Sequence, residues 1–161
     1  MAKVRNNTEA FEAIIEKRAF QCHSDNKSCR VQMLGQLTMI GMEPSLYVAY
    51  SYGFHYPMCA YDYQLDQWFF NEHKVSPTTQ RHKSGVWQRL TQEERDNAKY
   101  LDTSDMLLLV MTGSYANAVA NRMGQPIPPQ NRATEVCGGD YQEALRVQYG
   151  YAKCLNYQEN L

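Results

Sequence analysis

With 161 residues and a mass of 18.6 kDa, the chain has the length of one domain, residues 1–161, enough to bury a core without disulfides or metals. Hydrophobic residues at 43% and charged residues at 20% exclude a disordered chain, and no apolar run approaches the roughly 18 residues of a membrane span. A formal net charge of −1 excludes overall attraction to nucleic acid or to anionic lipid, so no membrane partner is expected.

The polar opening, MAKVRNNTEAFE, has no signal-type apolar region, which sets the expectation of a cytoplasmic protein. Residues 6–19 are predicted as a helix. Asn6 and Glu9 have capping-box spacing, and Phe11, Ile14, Ile15 and Arg18 follow a helical period. The polar stretch 22–29 breaks it. Residues 30–34 and 37–42 are apolar runs around Gly35 that predict a hairpin, with Glu43-Pro44-Ser45 as the next turn. Residues 46–54 are the clearest strand. They place Val48, Tyr50 and Tyr52 on one face and Tyr47, Ala49 and Ser51 on the other, with a bend at Gly53. Residues 56–63 and 67–70 predict two further strands joined by a turn over 62–66. Residues 30–71 thus form a small antiparallel meander.

After the polar, basic stretch 71–89, Thr91 and Glu94 form a capping box that opens a helix. Residues 103–123 are predicted as one longer helix stopped by Gly124. Residues 125–131 are an extended linker, and 140–157 a last helix with Ala144, Val147, Tyr151 and Leu155 in one stripe. Helix, strands and then helices give an α+β fold: a small antiparallel sheet at about 30–71 with helices packed on it, including a C-terminal helical part at 91–161.

Five cysteines, Cys22, Cys29, Cys59, Cys137 and Cys154, are an odd number with no secretory segment before them, so reduced thiols are expected. Cys22, His23 and Cys29 have the wrong spacing for a zinc knuckle, and no second pair answers them, so neither metal nor other cofactor is expected. Twelve tyrosines suit half-buried strands and wet binding surfaces alike.

Charge is concentrated in one place. Residues 73–89 hold Lys74, Arg81, Lys83 and Arg89 and no acid, with His73 and His82 among them. Inside this segment, Ser76-Pro77-Thr78-Thr79 reads as a helix start, with Ser76 as N-cap and Pro77 at the first helical position. The amides of Thr78 and Thr79 would then face an anion, with Arg81, His82 and Lys83 in the next turn. Lys74, Ser76, Thr78, Thr79, Arg81, His82, Lys83 and Arg89 are therefore the candidate phosphate or nucleic-acid contacts. A capped, solvated surface turn is the competing reading of the same residues.

Tyr47-Val48-Ala49-Tyr50-Ser51-Tyr52-Gly53, then Pro57, Trp68 and Ser76-x-Thr78-Thr79-x-x-His82, resembles a group of small bacteriophage-encoded proteins of unsettled function. The resemblance covers about residues 30–85, a third of the chain. That pattern has Thr after Ser-Tyr-Gly and Tyr before the Ser; here Phe54 and Val75 stand there, so no role of that Thr or Tyr carries over. The resemblance implies a phage origin and action on host processes in the bacterial cytoplasm, not a reaction.

Enzymatic signatures are sparse. Asp62 and Asp66 fall in a predicted turn that explains them, and Gly138-Gly139 is a lone pair rather than a nucleotide fingerprint. Ser51 or Cys59 with His82 could form a nucleophile and base, but no third orienting group is evident, so the reading leans away from an enzyme with catalytic residues. Three expectations follow. The first is a nucleic-acid or nucleotide-phosphate binder using segment 74–89, with aromatics such as Tyr50, Tyr52, Phe54, Tyr56 or Trp87 stacking bases. The second is a non-enzymatic module that inhibits or redirects a host protein through its tyrosines or through Met106, Met111 and Met123. The third is a homodimer formed through residues 104–123 and 140–157.

Overall fold

Twelve elements run through residues 2–23 and 31–125, the part of the chain that the computed structural model describes. They are β1 (Ala2–Val4), α1 (Asn7–Ile15), β2 (Phe20–His23), β3 (Val31–Ile40), β4 (Glu43–Ser51), β5 (Pro57–Asp62), β6 (Gln67–Asn71), α2 (Pro77–Arg89), α3 (Gln92–Asn97), β7 (Lys99–Leu101), α4 (Thr103–Thr112) and α5 (Tyr115–Arg122). The seven strands make one sheet in the order β1-β2-β3-β4-β5-β6-β7. The fold is α+β. The predicted linker beyond Gln125 and the helix over 140–157 lie outside the described residues, as do Cys29, Cys137 and Cys154.

The antiparallel meander expected over 30–71 is β3 to β6, and the sheet extends past it on both sides. β1 joins β2 in parallel through α1, and β6 joins β7 in parallel through α2 and α3. These flanking strands of three or four residues are too short to leave an alternation in the sequence. Strands β1, β2, β4, β6 and β7 therefore all run one way. Both parallel crossovers step in the same direction along the sheet, so crossovers of one hand lay α1 and α2 on the same face.

The two faces carry separate cores. One packs Phe11, Ile14 and Val86 onto Phe20, Tyr47, Ala49, Cys59 and Trp68. The other packs Met106, Leu109 and Val110 of α4 onto Leu46, Val48, Tyr50, Ala60 and Phe69. The alternation of Tyr47 and Ala49 against Val48 and Tyr50 is the two-residue period expected of residues 46–54.

Three local expectations are corrected. Residues 30–42 do not fold back at Gly35; β3 runs straight through it and turns at Gly41, whose φ is +63°. Gly35 is required by close packing instead, because a Cβ there would lie 2.0 Å from the Tyr47 hydroxyl and 2.6 Å from the Phe20 ring. Glu43-Pro44-Ser45 is part of β4 rather than a turn. Pro44 sits opposite Met39 beside a register shift, a place where a missing N–H is tolerated. The single helix over 103–123 is two helices, because Gly113 takes the left-handed conformation at the end of α4 and Ser114 caps α5.

Of the two expected capping boxes, the one at Thr91 and Glu94 is complete and the one at Asn6 and Glu9 forms by half, since the Glu9 carboxylate accepts from the Arg5 amide. Asn6 accepts from the Glu9 amide, and Thr91 and Glu94 make both bonds of a capping box. Asp62 and Asp66 act structurally: Asp62 accepts from the amides of Leu65 and Tyr115, tying α5 to the β5–β6 turn, and Asp66 accepts from the Tyr61 hydroxyl.

Candidate functional site

Because β4, β6 and β7 run the same way, their C-terminal ends lie at one end of the sheet. β4 ends there at Ser51-Tyr52-Gly53. β6 leads there into the start of α2, and β7 into the start of α4. An open cleft of about 1200 Å³ lies at this end. Such an edge, where helices begin on both faces, is a favoured ligand position in mixed sheets.

Its walls differ in chemistry. Ser51, Ser76, Thr78, Thr79, Thr103 and Ser104 supply hydroxyls, and Lys74, Arg122, His55 and His73 supply basic groups. Leu107, Leu108 and Met111 of α4, with Tyr52, Tyr56 and Val75, supply apolar and aromatic surface. No carboxylate lines the cleft among the described residues. Arg122 is paired with Asp105 just outside it.

Ser76 is the N-cap of α2, with Pro77 opening the helix. The Ser76 hydroxyl accepts from the Thr79 amide at 3.4 Å, so that amide, expected to face an anion, is turned to the cap instead. A chain of hydroxyls then runs inward. The Ser76 hydroxyl donates to Thr79 Oγ1 at 3.4 Å, Thr79 Oγ1 lies 3.0 Å from Ser51 Oγ, and Ser51 Oγ lies 2.9 Å from His82 Nδ1. One proton order satisfies every member: each hydroxyl donates to the next, and Nδ1 of neutral His82 is the final acceptor. Burial, with the nearby Arg81 guanidinium second, pushes the His82 pKa down to about 4, and the ring is only 1% exposed. The Tyr52 ring stacks on it with centroids 5.8 Å apart. Tyr52 has a φ of +61°, an uncommon conformation for a bulky residue, which the Ser-Tyr-Gly bend and this stacking hold in place.

Asn71, at the end of β6, pins the site together. Its amide donates to the Pro57 carbonyl at 3.0 Å and to Thr103 Oγ1 at 3.1 Å, and its side-chain oxygen accepts from the His73 amide. Its own carbonyl accepts from Lys83 Nζ at 2.8 Å. One residue thus binds β5, the loop before α2, α2 itself and the first turn of α4. Nothing in the sequence marked Asn71, because its function depends on four segments that meet only after folding.

The eight residues expected to contact phosphate separate into two groups. Lys74, Ser76, Thr78 and Thr79 line the cleft. His82 lies beneath it, behind Ser51. Lys83 points inward and donates to the carbonyls of Asn71 and His73, and burial holds its pKa below the usual lysine value. Arg89, at the far end of α2, donates to the Gly85 carbonyl and covers the Phe11 ring. Arg81 is exposed and does not line the cleft. Thr103, Ser104, Leu107, Leu108, Met111 and Arg122 also line the cleft, and nothing in the sequence marked them as part of this site.

Ser51 with His82 is placed as a nucleophile and base would be, but a histidine held near 4 is a weak base at neutral pH. The pair is better suited to fixing a neutral hydroxyl than to removing its proton. Burial raises the Cys59 thiol far above the usual cysteine range, which removes it as a nucleophile. Among the described residues, no cluster of three or more His, Cys, Asp or Glu side chains could hold a metal, and no helix is long and apolar enough to cross a membrane.

No family model, no curated protein and no solved structure matches this chain.

Proposed function

We propose that the protein is a phosphate-binding module that takes the phosphate of a nucleotide or nucleic acid into the cleft at the sheet end. The carrying observation is the composition of that cleft: basic and hydroxyl side chains with no carboxylate among its described lining, in a chain whose net charge is −1. The N-terminal turn of α2, which carries no acidic residue, opens onto it, so its helix dipole adds to the Lys74 charge. The likeness of residues 47–82 to phage-encoded proteins supports a role on host processes in the cytoplasm of an infected bacterium.

Calorimetric titration with pyrophosphate tests this. Binding that weakens with salt and falls about tenfold in Lys74→Ala supports it. Absence of binding at low salt, or equal binding by Lys74→Ala, overturns it.

A second reading, a module that inhibits or redirects a host protein, draws on Met111, which lines the cleft and is 48% exposed, and on Met123, which is 68% exposed. A stoichiometric complex that survives nuclease and is lost in Met111→Glu would favour it.

A further inference from the structure

We infer that the cleft accepts a mononucleotide, a single nucleoside phosphate, and not a nucleic-acid strand; this rests on the phosphate reading above and narrows it. A strand needs cations repeated along its path, roughly one for each phosphate neutralised. Among the described residues, the cleft does not present them. Of the four cations in segment 73–89, only Lys74 lines the cleft. Lys83 is committed to the carbonyls of Asn71 and His73, Arg89 lies over the Phe11 ring at the other end of α2, and Arg81 is exposed outside the cleft. Arg122 adds a second lining cation but is shared with Asp105. That charge matches one phosphate group.

The opposite wall supplies what a free phosphate ion would not use. Leu107, Leu108 and Met111 lie along one face of α4, partly exposed, in the same cleft as the Tyr52 and Tyr56 rings. A ligand that fills both halves has an anionic end and a flat, largely apolar body with polar edges. A nucleoside phosphate has this form, with its base against α4 and the tyrosines and its phosphate near Lys74. A volume of about 1200 Å³ holds such a molecule together with its bound water.

The test is competitive titration with 5′-AMP, 5′-GMP, inorganic phosphate, adenosine and a short oligodeoxythymidylate. At least one mononucleotide should bind about tenfold or more tightly than inorganic phosphate, adenosine and the oligonucleotide. Leu107→Ala with Met111→Ala should bring the mononucleotide close to inorganic phosphate and leave phosphate itself unchanged. Circular dichroism checks that this variant is folded. An oligonucleotide that binds more tightly than both mononucleotides, or inorganic phosphate that binds as tightly as they do, overturns the inference and leaves the phosphate reading standing. Adenosine binding as tightly as 5′-AMP, or no phosphate-bearing probe binding, overturns both.

Discussion

The Ser51 hydroxyl lies 2.9 Å from Nδ1 of His82, joining the end of a central strand to the second turn of a helix 31 residues further on. Burial favours the neutral ring, whose Nδ1 can accept from the Ser51 hydroxyl. Below the ordinary histidine value of 6.5, unfolded chains take up a proton that the folded protein refuses down to about 4. The folded form should therefore hold its full stability above pH 6.5 and lose up to about 1.4 kcal/mol per pH unit between 6.5 and 4. Urea unfolding at pH 7.5, 6 and 5 measures this, and His82→Gln should flatten the slope. A native protein equally stable at pH 7.5 and 5 would count against the buried neutral ring.

Gly85 is the second residue whose neighbour decides a substitution. Alanine normally improves a helix interior by about 1 kcal/mol over glycine. Here a Cβ would lie 2.2 Å from the tip of the Phe11 ring of α1. Gly85→Ala should instead destabilise by about 1–3 kcal/mol. Adding Phe11→Leu should return part of that loss, giving strongly non-additive unfolding energies. A Gly85→Ala protein as stable as the parent would mean that α1 and α2 can move apart freely.

Asn71→Ala removes two donated and two accepted bonds from a side chain that is 1% exposed. The Pro57 carbonyl loses a donor, and an expected loss is about 1–3 kcal/mol. The effect should be local to the cleft: amide exchange should rise at His73 and over the first turn of α4 more than in β3. Uniform exchange changes through the sheet would show that Asn71 is an ordinary core residue.

Basic residues of one segment should give opposite results. Lys83→Met should lower stability, because two carbonyls lose their donor, yet leave pyrophosphate affinity within about twofold while the protein remains folded. Arg81→Ala and Arg89→Ala should leave affinity unchanged. Lys74→Ala should reduce affinity and leave unfolding nearly unaltered, since Lys74 is exposed. Fluorescence titration and thermal melts of the four variants separate these outcomes. A large affinity loss in Arg81→Ala would move the binding surface to the outside of α2.

The parts of the fold legible in the sequence are those set by neighbours along the chain. The Ser76 cap, the Thr91–Glu94 box and the alternation through Tyr47, Val48, Ala49 and Tyr50 are all local. Gly35 misled because glycine marks either a turn or a close approach, and only the Tyr47 and Phe20 rings decide between them. The candidate site was legible along one wall only. Ser76, Thr78 and Thr79 announce a helix start, but the α4 wall adjoins them only because β4, β6 and β7 run in the same direction. Charge alone also over-counted the site, since a basic residue in the sequence does not reveal whether its side chain faces water or, like Lys83, the backbone.

The outermost strands of the sheet, β1 and β7, have three residues each. An extended peptide or an unfolded neighbour arriving at either border meets only a few rungs before the ladder ends. Recruitment of further chains by strand addition is thereby starved of length, and concentrated solutions should resist fibril growth even though the interior strands are rich in tyrosine and other aromatics.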